Sequence, residues 1–440
     1  MNARDLLSPL TTIDGQDQGL RARAGQHAAD ALTCLTMGVR TSEGRALISF
    51  YEESELKLPF ASAAAAAAII RFTEWDDIHV PSCVTPGAIA VPVGLALAED
   101  ETRFVAALCS GYAAGIALGE AIGGVSALPG TWPALLAAPA IAAVTASTAL
   151  GLSVEERAQA LVLALAGSSG RHGRPMGVPS ARWLAIGEAT LRGVRAADAA
   201  RSGFKGDLDL LSSEWLMAQS ASAVGWQGLR PDAILSVGLK PFVAARQGLN
   251  AIKGFLQILA SGVSPQSISE VRVALPPAAV PVVSRPLNLG DRLSTIAHLG
   301  LQLGIVAFDP ARLNDVSRTQ AFSSETLAFA ERVVVLPDES LSGESWPAKV
   351  AICVAGEWSE HHCSSVPGDP GNRESIRDLV MSKAAKISGE DPARSDGLED
   401  LMTMKDGAVK NAYKLLCKVL VQEVNGGSRG VSAMRRTSSQ

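Results

Sequence analysis

Residues 74–87 read Glu74-Trp75-Asp76-Asp77-Ile78-His79-Val80-Pro81-Ser82-Cys83-Val84-Thr85-Pro86-Gly87. Three carboxylates, a histidine and a thiol stand together here between two long apolar segments. Upstream, residues 61–70 are nearly all alanine; downstream, residues 88–98 read Ala-Ile-Ala-Val-Pro-Val-Gly-Leu-Ala-Leu-Ala. Both flanks are expected to be buried helix, which makes the acidic stretch a loop whose polar groups face a cavity. Loops held between rigid elements are where chemistry tends to sit. The plainer alternative is a solvated connection in which Asp76 or Asp77 caps the next helix.

Working outward, residues 19–38 place Ala28, Ala31, Leu32 and Leu35 at helical spacing, and residues 56–72, 104–122 and 180–202 also read as helix. Glycines 111, 115 and 119 favour close helix packing over a ligand site. Ser153-Val154-Glu155-Glu156 is a capping box opening a helix to Leu165. From about Leu235 the periodicity shifts. Residues 267–275, 279–283, 332–336 and 349–355 look like strands, with helices at 244–261 and 290–308. Helical signal returns at 375–387 and 405–421, and 426–440 reads as a polar, frayed tail. The expected fold class is mainly α with an α+β second domain. An all-helical domain would span 1–236, a smaller α+β lid 237–390, and 391–440 would return to the helical domain.

Composition narrows the function. The 440 residues are 47% hydrophobic and 19% charged with a net charge of −5, so no general nucleic-acid or anionic-membrane surface is expected. An anionic ligand would need cations placed locally. The first dozen residues contain no apolar signal core, which points to the cytoplasm. Six cysteines without a Cys-x-x-Cys pair fit reduced thiols and argue against a structural zinc or iron–sulfur site. Residues 133–152 could pass for a membrane span, but low leucine and isoleucine content suits a buried bundle helix. Phosphate-loop and dinucleotide-binding fingerprints are absent, so no cofactor is expected. Gly426-Gly427-Ser428-Arg429-Gly430 formally matches a nucleophile elbow but has no strand before it. His361-His362-Cys363 lacks a fourth metal ligand at sensible spacing and is expected to end a strand. In residues 167–179, Arg171, His172 and Arg174 sit on a glycine-rich backbone, with Arg182, Arg192 and Arg195 on the helix that follows. This is either a plain connection or an anion cradle.

The alanine helix, the acidic stretch and the helix after it together resemble the MmgE/PrpD family. That family includes 2-methylcitrate dehydratase, cis-aconitate decarboxylase and iminodisuccinate epimerase. Its members carry Asp-aromatic-Asp-Asp-Thr-His and then His-Pro-Gly, where this chain has Glu74 to His79 and Thr85-Pro86-Gly87. The resemblance continues at Leu150-Gly151-Leu152, Ile186-Gly187, Lys240-Pro241-Phe242, residues 268–275 and Arg292-Leu293-Ser294. Glu74 and Arg182 keep the charge of the family's aspartate and lysine. Ile78 replaces a threonine, and Thr85, Trp132 and Ala245 replace histidines.

The resemblance implies a metal-independent lyase acting on a small polycarboxylate, foremost the dehydration of a 2-methylcitrate-like 2-hydroxy acid. Dicarboxylate epimerisation or isomerisation, decarboxylation of the cis-aconitate type, and a degenerate homologue that only binds an anion remain open. Elimination beside a carboxylate needs a base, an acid and fixed cations for the developing charge. His79 is expected to titrate near neutrality, with Asp76 or Asp77 orienting it or acting as base. Lys240 and Arg182 would hold carboxylates, with Glu74, Thr85, His172, Arg174 and Arg246 completing the site. The site is expected in a cleft between the domains, in a homodimer joined through the helical domain, with neither nucleic acid nor membrane as partner.

Overall fold

Alanine is the best helix former and leaves little side chain to hold neighbours apart. The computed structural model describes residues 1–128, 130–171, 180–318, 320–341, 345–371, 373–388 and 392–435. In it the alanine run forms the helix Pro59–Phe72, opened by a proline at its first turn and buried from Ser62 onward. Gln18–Gly38, Gly87–Leu97 and Ser180–Arg201 pack against it, and Glu101–Ala121, Pro133–Ala149 and Val154–Leu165 extend the same core. The chain divides into two compact units, Met1–Gly238 with Arg377–Gln440, and Leu239–Ile376. The second unit closes at Ile376 rather than near 390, because the helix Arg373–Ser388 continues into the first unit. There Lys383 pairs with Asp30 of the Gln18–Gly38 helix.

The glycine stripe is a packing surface. A Cβ on Gly111 would collide with Thr145 and one on Gly115 with Ile141, both on the helix Pro133–Ala149. At Gly119 it would come within 2.6 Å of Val84 and 2.7 Å of the Ser82 carbonyl, so this glycine lets residues 82–84 lie on the helix. Among the described residues, Glu101–Ala121 has the length and apolarity of a membrane span, and 89% of that stretch is buried inside the fold. Pro133–Ala149 is likewise buried along its whole length. Both act as core helices.

The second unit holds a four-stranded sheet made of β1 (Ile268–Leu275), β2 (Val333–Pro337), β3 (Ala348–Val354) and β4 (Glu357–Cys363), in the order β2-β1-β3-β4. β1 pairs parallel with β2 and antiparallel with β3; β3 and β4 form a hairpin through Ala355 and Gly356, both at positive φ. The helices Leu249–Ala260 and Leu299–Phe308 pack on the sheet. His361-His362-Cys363 ends β4. Residues 280–283 form a short helix instead of a strand, since Pro281 cannot donate to a ladder. Residues 426–435 are not a frayed tail: the helix Ala408–Arg435 runs through them. No proline interrupts that segment, and glycine costs a helix only about 1 kcal/mol per residue.

Candidate functional site

The helix Pro59–Phe72 stops at Thr73, whose hydroxyl donates to the Ile70 carbonyl at 2.7 Å and accepts from the Trp75 N–H at 3.1 Å. Glu74 follows in the left-handed conformation, φ +52, which turns the chain back over the helix end. Arg71 of the last turn then reaches both oxygens of Asp76 at 2.6 Å and Glu74 at 3.2 Å. All three side chains are buried. Burial disfavours the charge on Arg71, but Asp76 and then Glu74 outweigh it and raise its pKa.

Asp77 serves a different partner set. It accepts from the N–H of Gly87, the first residue of the helix Gly87–Leu97, at 3.0 Å and from the Tyr112 hydroxyl at 2.7 Å. His27 Nδ1 lies 3.0 Å from the same carboxylate but outside hydrogen-bonding geometry. A Cβ on Gly87 would stand 2.5 Å from both Asp77 Oδ2 and the Tyr112 oxygen, which requires glycine here. The acidic stretch is therefore a buried turn whose carboxylates hold protein partners, not a loop facing a cavity. Asp77 does cap the next helix, in the interior instead of in solvent. From the other side, Lys383 Nζ stands 2.5 Å from Asp30, donates to the Trp75 carbonyl at 2.7 Å and lies 4.4 Å above the Trp75 ring. Burial opposes the charge on Lys383, and Asp30 reverses that and raises its pKa.

His79 lies on a small antiparallel frame. Ile78 bridges to Gly238 and His79 to Val84, with Cys83 at φ +54 making the turn. The Ser82 N–H points at His79 Nδ1 from 3.3 Å and the Ser82 hydroxyl lies 2.9 Å from it. Nδ1 is thus the acceptor, and the proton sits on Nε2, 4.0 Å from Glu120 Oε1. Burial, and after it the charge of Arg230, pull the imidazole down to about 4. His79 is neutral at pH 7 instead of poised near neutrality, because desolvation penalises its charged form.

Arg182 sits in the corner of two nearly perpendicular indoles, 4.4 Å from the Trp132 centroid and 4.6 Å from that of Trp183. Arg71 stacks on Trp183 at 5.1 Å, so one ring touches both guanidinium groups. Thr85 is buried, and its hydroxyl has no hydrogen-bond partner among the described residues. Lys240 and Arg246 belong to the second unit. Lys240 is buried near its start, and Arg246 donates to Asp369 at 2.7 Å. Burial lowers the Arg246 pKa against the pull of Asp369. His172 and Arg174 lie outside the described residues. Among those described, no three His, Cys, Asp or Glu side chains gather as a metal would require.

Several partners escaped the sequence reading. His27 and Asp30, three apart on the buried face of the first long helix, carried a signal as polar residues among its core alanines and leucines. Arg71 stands three residues before Glu74 and could have been paired with it. Tyr112 and Lys383 reach the turn through tertiary folding alone.

The MmgE/PrpD N-terminal domain matches residues 11–226. The chain belongs to the MmgE/PrpD family. No curated protein matches it. The acidic turn, His79, Trp132 and Arg182 all lie within the matched MmgE/PrpD domain, whereas Lys240, Arg246 and Lys383 lie beyond it.

Proposed function

We propose that the chain is a cytoplasmic lyase acting on a small polycarboxylate, dehydrating a 2-hydroxy acid without a cofactor. Membership of a family that includes dehydratases supports the class. The observation that carries the reading is Arg182 held against two indole faces, next to the buried cluster of Arg71, Asp76 and Glu74. A guanidinium fixed in this way loses little freedom when it grips a carboxylate with two hydrogen bonds. In the dehydration Glu120 would take the proton from the carbon beside a carboxylate and the C–O bond would break. The hydroxyl would leave as water with the proton of His79 Nε2, and Glu120 would return its proton to the imidazole. Arg182 would stabilise the charge that builds on that carboxylate. His79, neutral with its proton on Nε2, suits hydrogen bonding to the departing oxygen. Glu120, 4.0 Å away and 27% exposed, is the carboxylate beside it with access to water. Asp76 and Asp77 already hold buried partners, which suits them to building the turn.

A second reading, an anion-binding homologue without turnover, draws on those same commitments of Asp76 and Asp77 and on Trp132 at a family histidine position. An NMR assay in D₂O against citrate, 2-methylcitrate, cis-aconitate and amino-dicarboxylates separates the two. Elimination by the parent chain, with the affinity for its substrate reduced in Arg182→Met, supports the lyase. A tricarboxylate that binds without elimination, decarboxylation or proton exchange would replace it with the anion binder.

A further inference from the structure

The helical unit carries a concavity lined by none of the residues of the acidic turn. It has a volume of about 580 Å³, and Arg171, Arg192 and Arg195 converge on it beside Leu135 and Pro139. That size lies within the range of ordinary small-ligand sites. Arg192 and Arg195 project from one face of the helix Ser180–Arg201, and Arg192 is steadied by the Ala166 carbonyl at 3.4 Å. Glu188, four residues before Arg192, is the one acidic residue of the lining among the described residues. A glutamate at that offset ordinarily pairs with the arginine. Here, among the described residues, neither it nor any of the three arginines forms an ion pair. Among the described residues, three exposed cations and a single exposed carboxylate line an open recess beside the buried Leu135 and Pro139, which leaves the lining net positive. Guanidinium groups so placed match the planar, multiply charged oxygens of phosphates and carboxylates.

We propose that this pocket binds a small polyanion bearing at least two phosphate or carboxylate groups, at a site separate from that of the proposed lyase reaction. The assignment does not depend on the lyase reading. Calorimetric titration of the full chain with pyrophosphate tests it, alongside citrate titrated into Arg182→Met so that the site proposed around Arg182 stays silent. One anion should bind per chain and weaken as salt is raised. The Arg192→Gln/Arg195→Gln double variant should weaken binding about tenfold or more, on the scale of lost charged hydrogen bonds. Glu188→Gln should tighten it several-fold by removing the opposing charge, a gain that misfolding cannot imitate. Pyrophosphate binding alone would mark the ligand as a phosphate compound and citrate binding alone as a polycarboxylate; either result sustains the proposal. Absence of binding by both anions at millimolar concentration overturns it, as does binding indifferent to both the double variant and Glu188→Gln.

Discussion

Desolvation decides what His79 can do. Its folded pKa of about 4 lies below the ordinary 6.5, so between these values the unfolded chain binds a proton that the folded one does not. The resulting stability is fully present above about pH 6.5 and is lost as pH falls toward 4, on the order of 3 kcal/mol in all. Urea unfolding near pH 7.5 and again near pH 4.5 should therefore show a smaller loss in His79→Gln than in the parent chain. Equal losses would mean that the imidazole is not held neutral. On the proposed reaction, His79→Asn should lower turnover by about 10²–10⁴-fold while ligand affinity stays nearly unchanged. Arg182→Met should instead weaken polycarboxylate binding by about 1.5–3 kcal/mol, measured by calorimetry.

Among the elements, the acidic turn depends on a helix that arrives late in the chain. Lys383, on Arg373–Ser388, neutralises Asp30 on Gln18–Gly38 and holds the Trp75 carbonyl between them. Removing one member of a fully buried pair leaves an uncompensated charge, so Lys383→Met should cost about 3–5 kcal/mol in denaturant unfolding. Adding Asp30→Leu should restore part of that loss. A single variant as stable as the parent would show that the turn does not rely on this pair. At the other end of the turn, Gly87→Ala forces a Cβ against Asp77 and Tyr112. The expected cost is about 1–3 kcal/mol, the usual range for overpacking.

At the scale of the whole molecule, small residues are spent inside the helical unit: Pro59–Phe72 and Pro133–Ala149 are buried against their own neighbours. Its larger apolar side chains at the surface are different residues, among them Phe50, Leu58, Phe204 and Met217, all more than half exposed. Covering them would remove apolar area from water. We therefore expect a homodimer formed through this unit. Light scattering at micromolar concentration should give twice the chain mass of 45.6 kDa. A monomer mass would refute it.

What the sequence by itself determined are features set by local periodicity and turn chemistry. The alanine helix, the capping box at Ser153, the packing glycines and the passage to an α+β unit all follow from residues close together in the chain. Family membership was legible in the spacing of Glu74, Asp76, Asp77 and His79, because that frame lies within fourteen consecutive residues. The environment of those residues was not legible. Whether a carboxylate faces water or an arginine depends on groups far along the chain: Tyr112 meets Asp77 from 35 positions away, and Lys383 reaches Trp75 across 308. Tertiary packing alone decided that Asp77 caps a helix inside the core and that His79 is neutral. Desolvation is a property of the space around a side chain, and the identity of the residue does not encode it.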